Sequence, residues 1–257
     1  MKNTEKLKNI FSTSNILIFT VVLFVKLSII DWYHIPSGSM MPTLEINDRV
    51  VVNKIAYHFQ IPLLNTTFTQ HAKINRGDVV IFEEKDSGTI FIKRVIGVAG
   101  DTIEINFHQV SINGKQIDTT LVSTTDEYTL YREKIESVEY FTQYNHSIDI
   151  ELTNILKNKE DLIANPNSKS AKFVHRFYHN RAGKWTVPEK TLFVMGDNRD
   201  NSIDSRFASL STIPINSVRG KAMYVFANIK PLNVGGVNLH MIPIGFSQFN
   251  KEIYTAN

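Results

Sequence analysis

Three segments of the 257-residue chain carry polar side chains whose types and spacing could support chemistry. In the first, Ser37 and Ser39 flank a glycine, which is also a common composition for a turn. In the second, residues 90–97, Lys93 interrupts an apolar strand pattern, and alternation points its side chain to the opposite face from its two neighbours. The third, residues 196–206, is a polar run that begins Gly-Asp-Asn. A serine hydroxyl becomes a nucleophile only when a base takes its proton, and a lysine can be that base. The alternative is that the first and third segments are only turns and that Lys93 lies on a solvated strand face.

Composition and missing motifs exclude several other chemistries. The chain has no cysteine, which excludes disulfides, thiolate nucleophiles and cysteine-ligated metals. The formal net charge of +3 is too small to indicate nucleic acid as a partner. The Gly-x-Ser-x-Gly elbow and the glycine-rich phosphate-binding loops are absent. His175 and His179 have the spacing of two metal ligands on a helix, but no glutamate lies between them, and we predict neither a metal nor another cofactor.

The N-terminal segment is the most apolar part of the chain. An apolar run over residues 16–30 is interrupted by Lys26 and preceded by three lysines, which are Lys2, Lys6 and Lys8. A cleavable secretion signal needs small residues just after its apolar core, and the chain instead continues Ile-Ile-Asp-Trp-Tyr. We therefore predict a transmembrane signal anchor over residues 10–30. The positive-inside rule leaves residues 1–9 in the cytoplasm and everything from Asp31 onward outside.

The chain after the apolar segment is predicted to be mostly β. Short β-branched and apolar stretches predict strands, and they are residues 50–53, 79–82, 90–98, 102–105, 192–195 and 222–226. Asn113-Gly114 between two further stretches is typical of a type I′ hairpin turn. Beyond this hairpin the sequence becomes more polar and its periodicity weakens. We predict a β core over residues 31–102 and 190–257, interrupted by a smaller β-containing inserted domain over residues 103–189.

Together these segments resemble the bacterial type I signal peptidases, also called leader peptidases. Members of that family are membrane-anchored serine proteases that use a Ser/Lys dyad, a known variant of the serine triad. The resemblance runs in the family order through the apolar segment, residues 36–43, 76–80 and 90–101, and the Gly-Asp-Asn run at 196–206. It implies a transmembrane helix, a catalytic β core and an insert, but it does not cover residues 101–189 at the level of motifs.

The resemblance implies a role for each matching residue. Ser39 matches the family nucleophile and Lys93 its general base, while the Ser39 amide and the Ser37 hydroxyl match the groups that hold the oxyanion. Ser202 matches the serine that hydrogen-bonds and orients the lysine. Asp204 and Arg206 match an ion pair that shapes the site. Asp197 belongs to the turn beside the dyad.

The chemistry of lysine supports this assignment independently. A free lysine has a pKa of about 10.4, so a lysine base at neutral pH needs a pKa lowered by roughly three units. Burial has the right sign, because desolvation disfavours the ammonium form. The apolar neighbours Ile90, Phe91, Ile92 and Val95 would provide such burial for Lys93.

The resemblance also implies the substrate, which is the signal peptide of an exported preprotein. Signal peptidases cut after small residues at the first and third positions before the scissile bond, because their pockets are shallow and apolar. The matching apolar residues, each of which could equally be ordinary core, are Ile35, Pro36, Met40, Leu44, Phe91 and Ile92. An extended substrate could add as a strand beside Lys93. The expected location is the bacterial inner membrane as a single-pass protein, with the lipid bilayer as a second partner.

Three other interpretations remain open from the sequence. A Ser/Lys peptidase dedicated to one conjugation or pilus substrate would use the same dyad. Self-cleaving SOS-repressor-type proteins share the chemistry, but the anchor and the long Gly-Asp-Asn run argue against them. A membrane-tethered, β-rich assembly protein would have no catalysis at all. Cleavage of a preprotein that is lost in Ser39→Ala separates the peptidases from the assembly protein.

Overall fold

The computed structural model describes residues 13–60, 67–70, 72–157, 165, 167–229, 232–234, 237–239 and 251–253. The α-helices are α1 (Thr13–Ser28), α2 (His146–Lys157) and α3 (Lys169–Arg181). The strands of the first half are β1 (Ile30–His34), β2 (Asp48–Asn53), β3 (His58–Gln60), β4 (Thr67–Gln70), β5 (Val79–Glu83), β6 (Ile90–Val98), β7 (Thr102–Asn106), β8 (Gln109–Ile112), β9 (Lys115–Gln116) and β10 (Asp118–Thr124). The strands of the second half are β11 (Tyr128–Ile135), β12 (Val138–Asn145), β13 (Ala182–Thr186), β14 (Thr191–Met195), β15 (Ile213–Pro214), β16 (Val218–Asn228), β17 (Leu232–Val234), β18 (Val237–Leu239) and β19 (Lys251–Glu252).

The largest sheet has eight strands and supports the candidate site. Its order is β1-β2-β16-β5-β6-β14-β15, with β19 also paired to β16, and every pairing in it is antiparallel. Strand β2 alternates buried and partly buried residues, as a strand with one covered face does. The first four residues of β5 are all buried, which fits a central strand covered on both faces. The mostly β fold class is therefore confirmed.

Strand β6 changes character along its length. Ile90 is exposed and the next two residues are partly buried, whereas Lys93 and the four residues after it are buried. Lys93 is therefore the point at which the strand passes from an open cleft into the interior. The predicted alternation places Lys93 and Arg94 on opposite faces, but the structure buries both, because each face of β6 is covered at this level.

The predicted Asn-Gly hairpin is present. Strands β8 and β9 pair across Asn113 and Gly114, whose φ angles are 54° and 77°. A type I′ turn needs positive φ at both central positions, and asparagine and glycine tolerate it better than other residues. The side chain of Asn113 also accepts a hydrogen bond from the Thr102 amide at 2.8 Å, which ties the turn to the start of β7.

The polar stretch after the hairpin is more ordered than its composition indicates. Strands β10, β11 and β12 form a three-stranded sheet, and β13 joins β7, β8 and β9 in a four-stranded one. Helices α2 and α3 contain residues that the sequence suggested were loop or irregular, and α3 is capped by the Ser168 hydroxyl, which accepts from the Ala171 amide at 3.1 Å. The sequence did not predict these helices, because polar residues interrupt their apolar ones. Among the described side chains of α2, the buried apolar ones are Leu152 and Ile155.

The segment predicted as an insert shares a hydrophobic core with the large sheet. One cluster of buried residues combines Ile96 and Phe193 of the large sheet with Ile103, Ile135 and Tyr140 of the smaller ones. Residue Gly97 permits this contact, because a Cβ at that position would lie only 2.7 Å from Ile103 Cδ1. The smaller sheets are thus packed directly against the strands that carry Lys93. The domain boundaries themselves stay a prediction.

Helix α1 differs from the predicted transmembrane segment at its end. It finishes at Ser28, and Ile30 begins β1, which pairs with β2 from Ile30 to His34. The helix therefore ends two residues before the predicted segment does, because Ile30 belongs to β1 and pairs with β2. The beginning of the predicted segment, residues 10–12, lies outside the described residues. In the described part of the chain, no helix combines the length and the apolar character needed to cross a membrane.

Candidate active site

The structure brings Ser39 and Lys93 into direct contact. Ser39 lies in the turn-rich segment before β2, Lys93 lies on β6, and Lys93 Nζ is 2.7 Å from Ser39 Oγ. Both side chains are buried. The Phe91 ring covers the amine, with its centroid 5.6 Å from Nζ. A hydrogen bond at this distance lets a proton pass from the serine hydroxyl to a neutral amine.

The environment of Lys93 favours its neutral form. Burial lowers the pKa of the Lys93 amine from its ordinary value of 10.5 to about 8. The carboxylates of Asp204 and Asp197 act in the opposite direction, while Arg206 adds to the lowering. The direction is the one that a lysine general base needs, and desolvation is its main cause.

Residues 196–206, here called the Gly-Asp-Asn loop, hold the segment that carries Ser39. The Asn198 amide donates to the Ser39 carbonyl at 3.1 Å, and Asn198 Nδ2 donates to the Gly38 carbonyl at 2.9 Å. At Gly196 an added Cβ would collide with the Ser39 carbonyl oxygen and with Ser202 Oγ. The nucleophile segment and the loop therefore approach so closely that only glycine fits between them.

A buried ion pair fixes the base of the loop. Arg94 Nε donates to Asp197 Oδ1 at 2.9 Å, and Arg94 Nη2 donates to Asp197 Oδ2 at 2.7 Å. The Thr43 hydroxyl, four residues after Ser39, donates to the same carboxylate. Arg94 also donates from NH1 to the Gly77 carbonyl at 2.9 Å. This network links β6, the nucleophile segment and the loop, so it positions both members of the dyad.

The second acid of the loop forms the ion pair that the resemblance implies. Arg206 donates to both oxygens of Asp204, from Nε and NH2, at 2.8 Å each. The Gly196 amide also donates to this carboxylate at 2.9 Å. Burial acts to raise the pKa of Asp204, but Arg206 and the Gly196 amide outweigh it, so the pKa lies below the ordinary value of 3.8. Asp204 is thus a fixed negative charge near Lys93.

Ser202 is placed differently from the expectation. Its hydroxyl is buried and makes no hydrogen bond to Lys93, so the expected bond between the two side chains is not formed. The amine of Lys93 is directed at Ser39 instead, and the Ser202 side chain packs beside Gly196. Ser202 nevertheless lines the same cleft as Lys93.

Two further arginines attach the Gly-Asp-Asn loop to the smaller sheets and helices. Arg199 of the loop donates from NH2 to Glu133 of β11, and both side chains are completely buried. At the end of α3, Arg181 pairs with Asp200 of the loop and with Asp149 of α2. The backbone of β12 joins the loop as well, because the Gln143 amide donates to the Asp197 carbonyl at 3.0 Å. The loop is therefore held from both sides.

Two clefts meet at the dyad, and both include Ser37, Ser39, Phe91 and Lys93 in their walls. The first cleft, of about 320 Å³, adds the apolar side chains of β1 and β6 and of the segment between β1 and β2. Of the predicted pocket residues, it contains Ile35, Pro36, Phe91 and Ile92. The second cleft, of about 400 Å³, adds residues of the Gly-Asp-Asn loop together with Phe177 and Phe207.

Two predicted pocket residues are placed in the core instead. Met40 and Leu44 are fully buried in the cluster formed by β2, β5 and β16. Neither is among the described residues that line the two clefts. Their side chains point inward because the turn after Ser39 directs them under the sheet rather than into the cleft. Ser37 is exposed and lies at the junction of both clefts.

The described residues contain no cluster of three or more His, Cys, Asp or Glu side chains that could hold a metal ion. His175 and His179 both lie on α3.

Sequence reasoning missed three residues that matter at this site. The sequence predicts only the strand face of Arg94, places Asn198 only within the Gly-Asp-Asn run, and gives Arg199 no role. A signal for Arg94 was available, because a second charge beside Lys93 in so apolar a strand requires a buried partner. The partner of Arg199 could not be found in this way, since Glu133 lies in the polar stretch, 66 residues away.

Comparison with known proteins identifies the family. A family model described as signal peptidase, peptidase S26, matches residues 8–227. Signal peptidase I of Pseudomonas aeruginosa is 31% identical over 238 residues, which cover 87% of this chain and 74% of that protein. Signal peptidase I of Aquifex aeolicus is 33% identical over 227 residues, which cover 82% and 80%. A crystal structure of a signal peptidase I from Enterococcus faecalis V583 aligns with a TM-score of 0.32 at 23% identity, covering 58% of this chain and 97% of that one. Because the family model spans most of the sequence and these relatives align over more than four-fifths of it, the chain belongs to the signal peptidase family, peptidase S26.

Proposed function

We propose that this peptidase removes signal peptides from exported preproteins with Ser39 as the nucleophile and Lys93 as its general base. The observation that carries the proposal is the 2.7 Å contact between Lys93 Nζ and Ser39 Oγ, made by an amine whose pKa burial lowers to about 8. Neutral Lys93 takes the hydroxyl proton as Ser39 attacks the carbonyl of the scissile bond. The resulting ammonium then gives its proton to the leaving amine, and the acyl-enzyme is hydrolysed by water with Lys93 again as the base.

The developing oxyanion is held by the Ser39 amide and the Ser37 hydroxyl. Ser37 is exposed at the junction of the two clefts, where a substrate carbonyl can reach it. Ser202 lines the same wall as Lys93, and its buried hydroxyl is available to accept a hydrogen bond from the ammonium. Asp204, Arg206 and Asp197 act indirectly, by fixing the loop and the charge around Lys93.

Substrate specificity follows from the first cleft. Its apolar walls of Ile35, Pro36, Phe91 and Ile92 suit small apolar side chains at the first and third positions before the scissile bond. Exposed Ile90 marks the open end of β6, beside which an extended peptide can add as a strand. The alternative of a peptidase dedicated to one conjugation or pilus substrate is not favoured, since the relatives reported above are named Signal peptidase I.

The chain is proposed to be anchored in the bacterial inner membrane by a segment that includes α1. The apolar side chains of α1 are exposed over much of its circumference, and they include Leu17, Ile18, Phe19, Val21 and Val22. Such a surface requires an apolar environment. The preceding lysines place the N-terminus in the cytoplasm, which leaves the catalytic domain on the outer face. Resistance to alkaline carbonate extraction, together with digestion of the domain by protease added outside spheroplasts, tests this topology.

The test of the proposed activity uses the full chain in detergent with a preprotein substrate. Ser39→Ala and Lys93→Ala are expected to abolish cleavage, because one removes the nucleophile and the other its base. Ser37→Ala is expected to lose about 10² to 10³ in kcat with little change in KM, since one oxyanion donor is lost. Lys85→Ala, which removes an exposed lysine, is the control and should cleave like the parent. Cleavage that persists in Ser39→Ala contradicts the assignment.

A further inference from the structure

The second cleft contains a residue from the polar stretch that the resemblance leaves uncovered. Phe177, on α3, joins Ile203 and Phe207 in the wall of the cleft that Ser39 and Lys93 also line. Ile203 is 57% exposed although it lies between two buried residues of the Gly-Asp-Asn loop. Three large apolar side chains thus surround a space that opens onto the dyad.

The position of Phe177 is fixed by the contacts of its helix. One turn after Phe177, Arg181 ends α3 in a buried pair with Asp200, which belongs to the same loop as Ile203. One turn before it, the Phe173 ring packs on Phe177 with centroids 4.8 Å apart. These contacts hold the part of the helix that places Phe177 in the wall of the cleft.

The charge of the second cleft is neutralised within its own walls. Asp200 lines the cleft, but both of its oxygens accept hydrogen bonds from Arg181, and Oδ2 also accepts from the Asn145 amide at 2.8 Å. Asp200 is therefore already paired, whereas Phe177, Ile203 and Phe207 give the wall of the cleft an apolar surface. The chemistry of this cleft therefore suits an apolar group.

We propose that Phe177 is a specificity-determining residue for the part of the substrate that follows the scissile bond. The inference rests on the proposed function, in which the residues before the bond occupy the first cleft. Because the two clefts meet only at the dyad and its immediate walls, a peptide bound across Ser39 continues into the second cleft. A large apolar side chain at the first or second position after the bond packs against Phe177.

The experiment compares peptide substrates that are identical before the scissile bond and carry Gly, Ala, Leu, Phe, Asp or Lys at each of the next two positions. The full chain in detergent, Phe177→Ala and the control Phe141→Ala are assayed for kcat/KM. Phe141, on β12, has the same ring type but lines neither cleft. Phe177→Ala is expected to lose about tenfold in kcat/KM for Leu and Phe substrates, the scale of a lost apolar contact in a pocket. It should stay within about twofold for Gly and Ala substrates, and Phe177→Leu should restore most of the preference.

Three outcomes would overturn the inference. An equal loss for all substrates would make Phe177 a structural residue only. Undiminished kcat/KM of Phe177→Ala for the Leu and Phe substrates would show that the residues after the bond do not contact Phe177. In both cases Ser39→Ala stays inactive and the proposed function survives. Undiminished cleavage by Ser39→Ala would overturn the proposed function and the inference together.

Discussion

Replacement of Lys93 by methionine should abolish activity and stabilise the fold at neutral pH. The buried amine has a pKa of about 8, against 10.5 for an ordinary lysine. The folded protein therefore binds the Lys93 proton more weakly than the unfolded chain does, and at neutral pH, where both are protonated, this difference lowers the free energy of unfolding. At about 1.4 kcal/mol per pKa unit, the gap corresponds to about 3 kcal/mol. Methionine has a similar length and no charge, so Lys93→Met removes this cost.

The sign of the pH dependence follows from linkage. Since the folded pKa lies below the unfolded one, the unfolded state binds more protons between about pH 8 and 10.5, and the parent gains stability as the pH rises through this window. Below about pH 8 the cost is present in full. The stability advantage of Lys93→Met should therefore shrink by about 3 kcal/mol between pH 7 and pH 10.5.

Urea unfolding in detergent, followed by tryptophan fluorescence at several pH values, measures this difference. Groups that titrate in both proteins cancel when the free energies of unfolding are subtracted. Lys85→Met, at an exposed lysine, is the matched control and should show no change across the window. A difference between Lys93→Met and the parent that does not vary with pH would refute the argument that burial lowers the pKa of Lys93.

Three further predictions concern the site. The kcat/KM of the parent should rise about tenfold per pH unit below about pH 8 and level off above it, as a pH–rate profile would show, because Lys93 must be neutral to accept the proton. Gly196→Ala should lower kcat strongly and KM little in steady-state assays, since its Cβ collides with the carbonyl of Ser39. Asp197→Asn should cost about 3–5 kcal/mol in urea unfolding, because it leaves the Arg94 guanidinium buried without a counter-charge.

Each of these three predictions would be contradicted by a specific result. A flat profile between pH 6 and pH 9 would remove the lysine base from the rate-limiting step, and unchanged kcat in Gly196→Ala would show that the close approach has no role. For Asp197→Asn the control is Glu139→Gln, which breaks the exposed pair with Lys134 and should cost less than about 1 kcal/mol. Equal costs for the two variants would contradict the importance of burial.

Local patterns predicted the elements of the core, because their signals lie within short stretches, whereas the assignment of Ser39 and Lys93 as a dyad came from the family resemblance. Strand β6 was predicted with the bounds that the structure has, and the positive φ angles at Asn113 and Gly114 follow from residue type. The same patterns did not reveal the two helices after β12. Polar residues interrupt the apolar ones of both helices, so the helical periodicity is weak.

Contacts between distant residues set the limit of the sequence argument. Met40 and Leu44 match pocket positions in the resemblance, yet the direction of a side chain leaving a turn depends on the sheet beneath it. The pairing of Arg94 with Asp197 joins residues 103 positions apart. No local pattern predicts which carboxylate pairs with which buried arginine, because the pairing depends on how the elements pack in three dimensions.

The two hydrogen bonds from Asn198 to the Gly38 and Ser39 carbonyls have a consequence for the order of biosynthesis. The bond to Gly38 spans 160 positions of the chain, whereas Ser39 and Lys93 are separated by only 54. A growing chain that ends before Gly196 already carries Ser39 and Lys93, but it lacks both hydrogen bonds from Asn198 to the nucleophile segment. The geometry that the Gly-Asp-Asn loop imposes on the nucleophile segment is therefore complete only in a polypeptide that extends at least to Asn198.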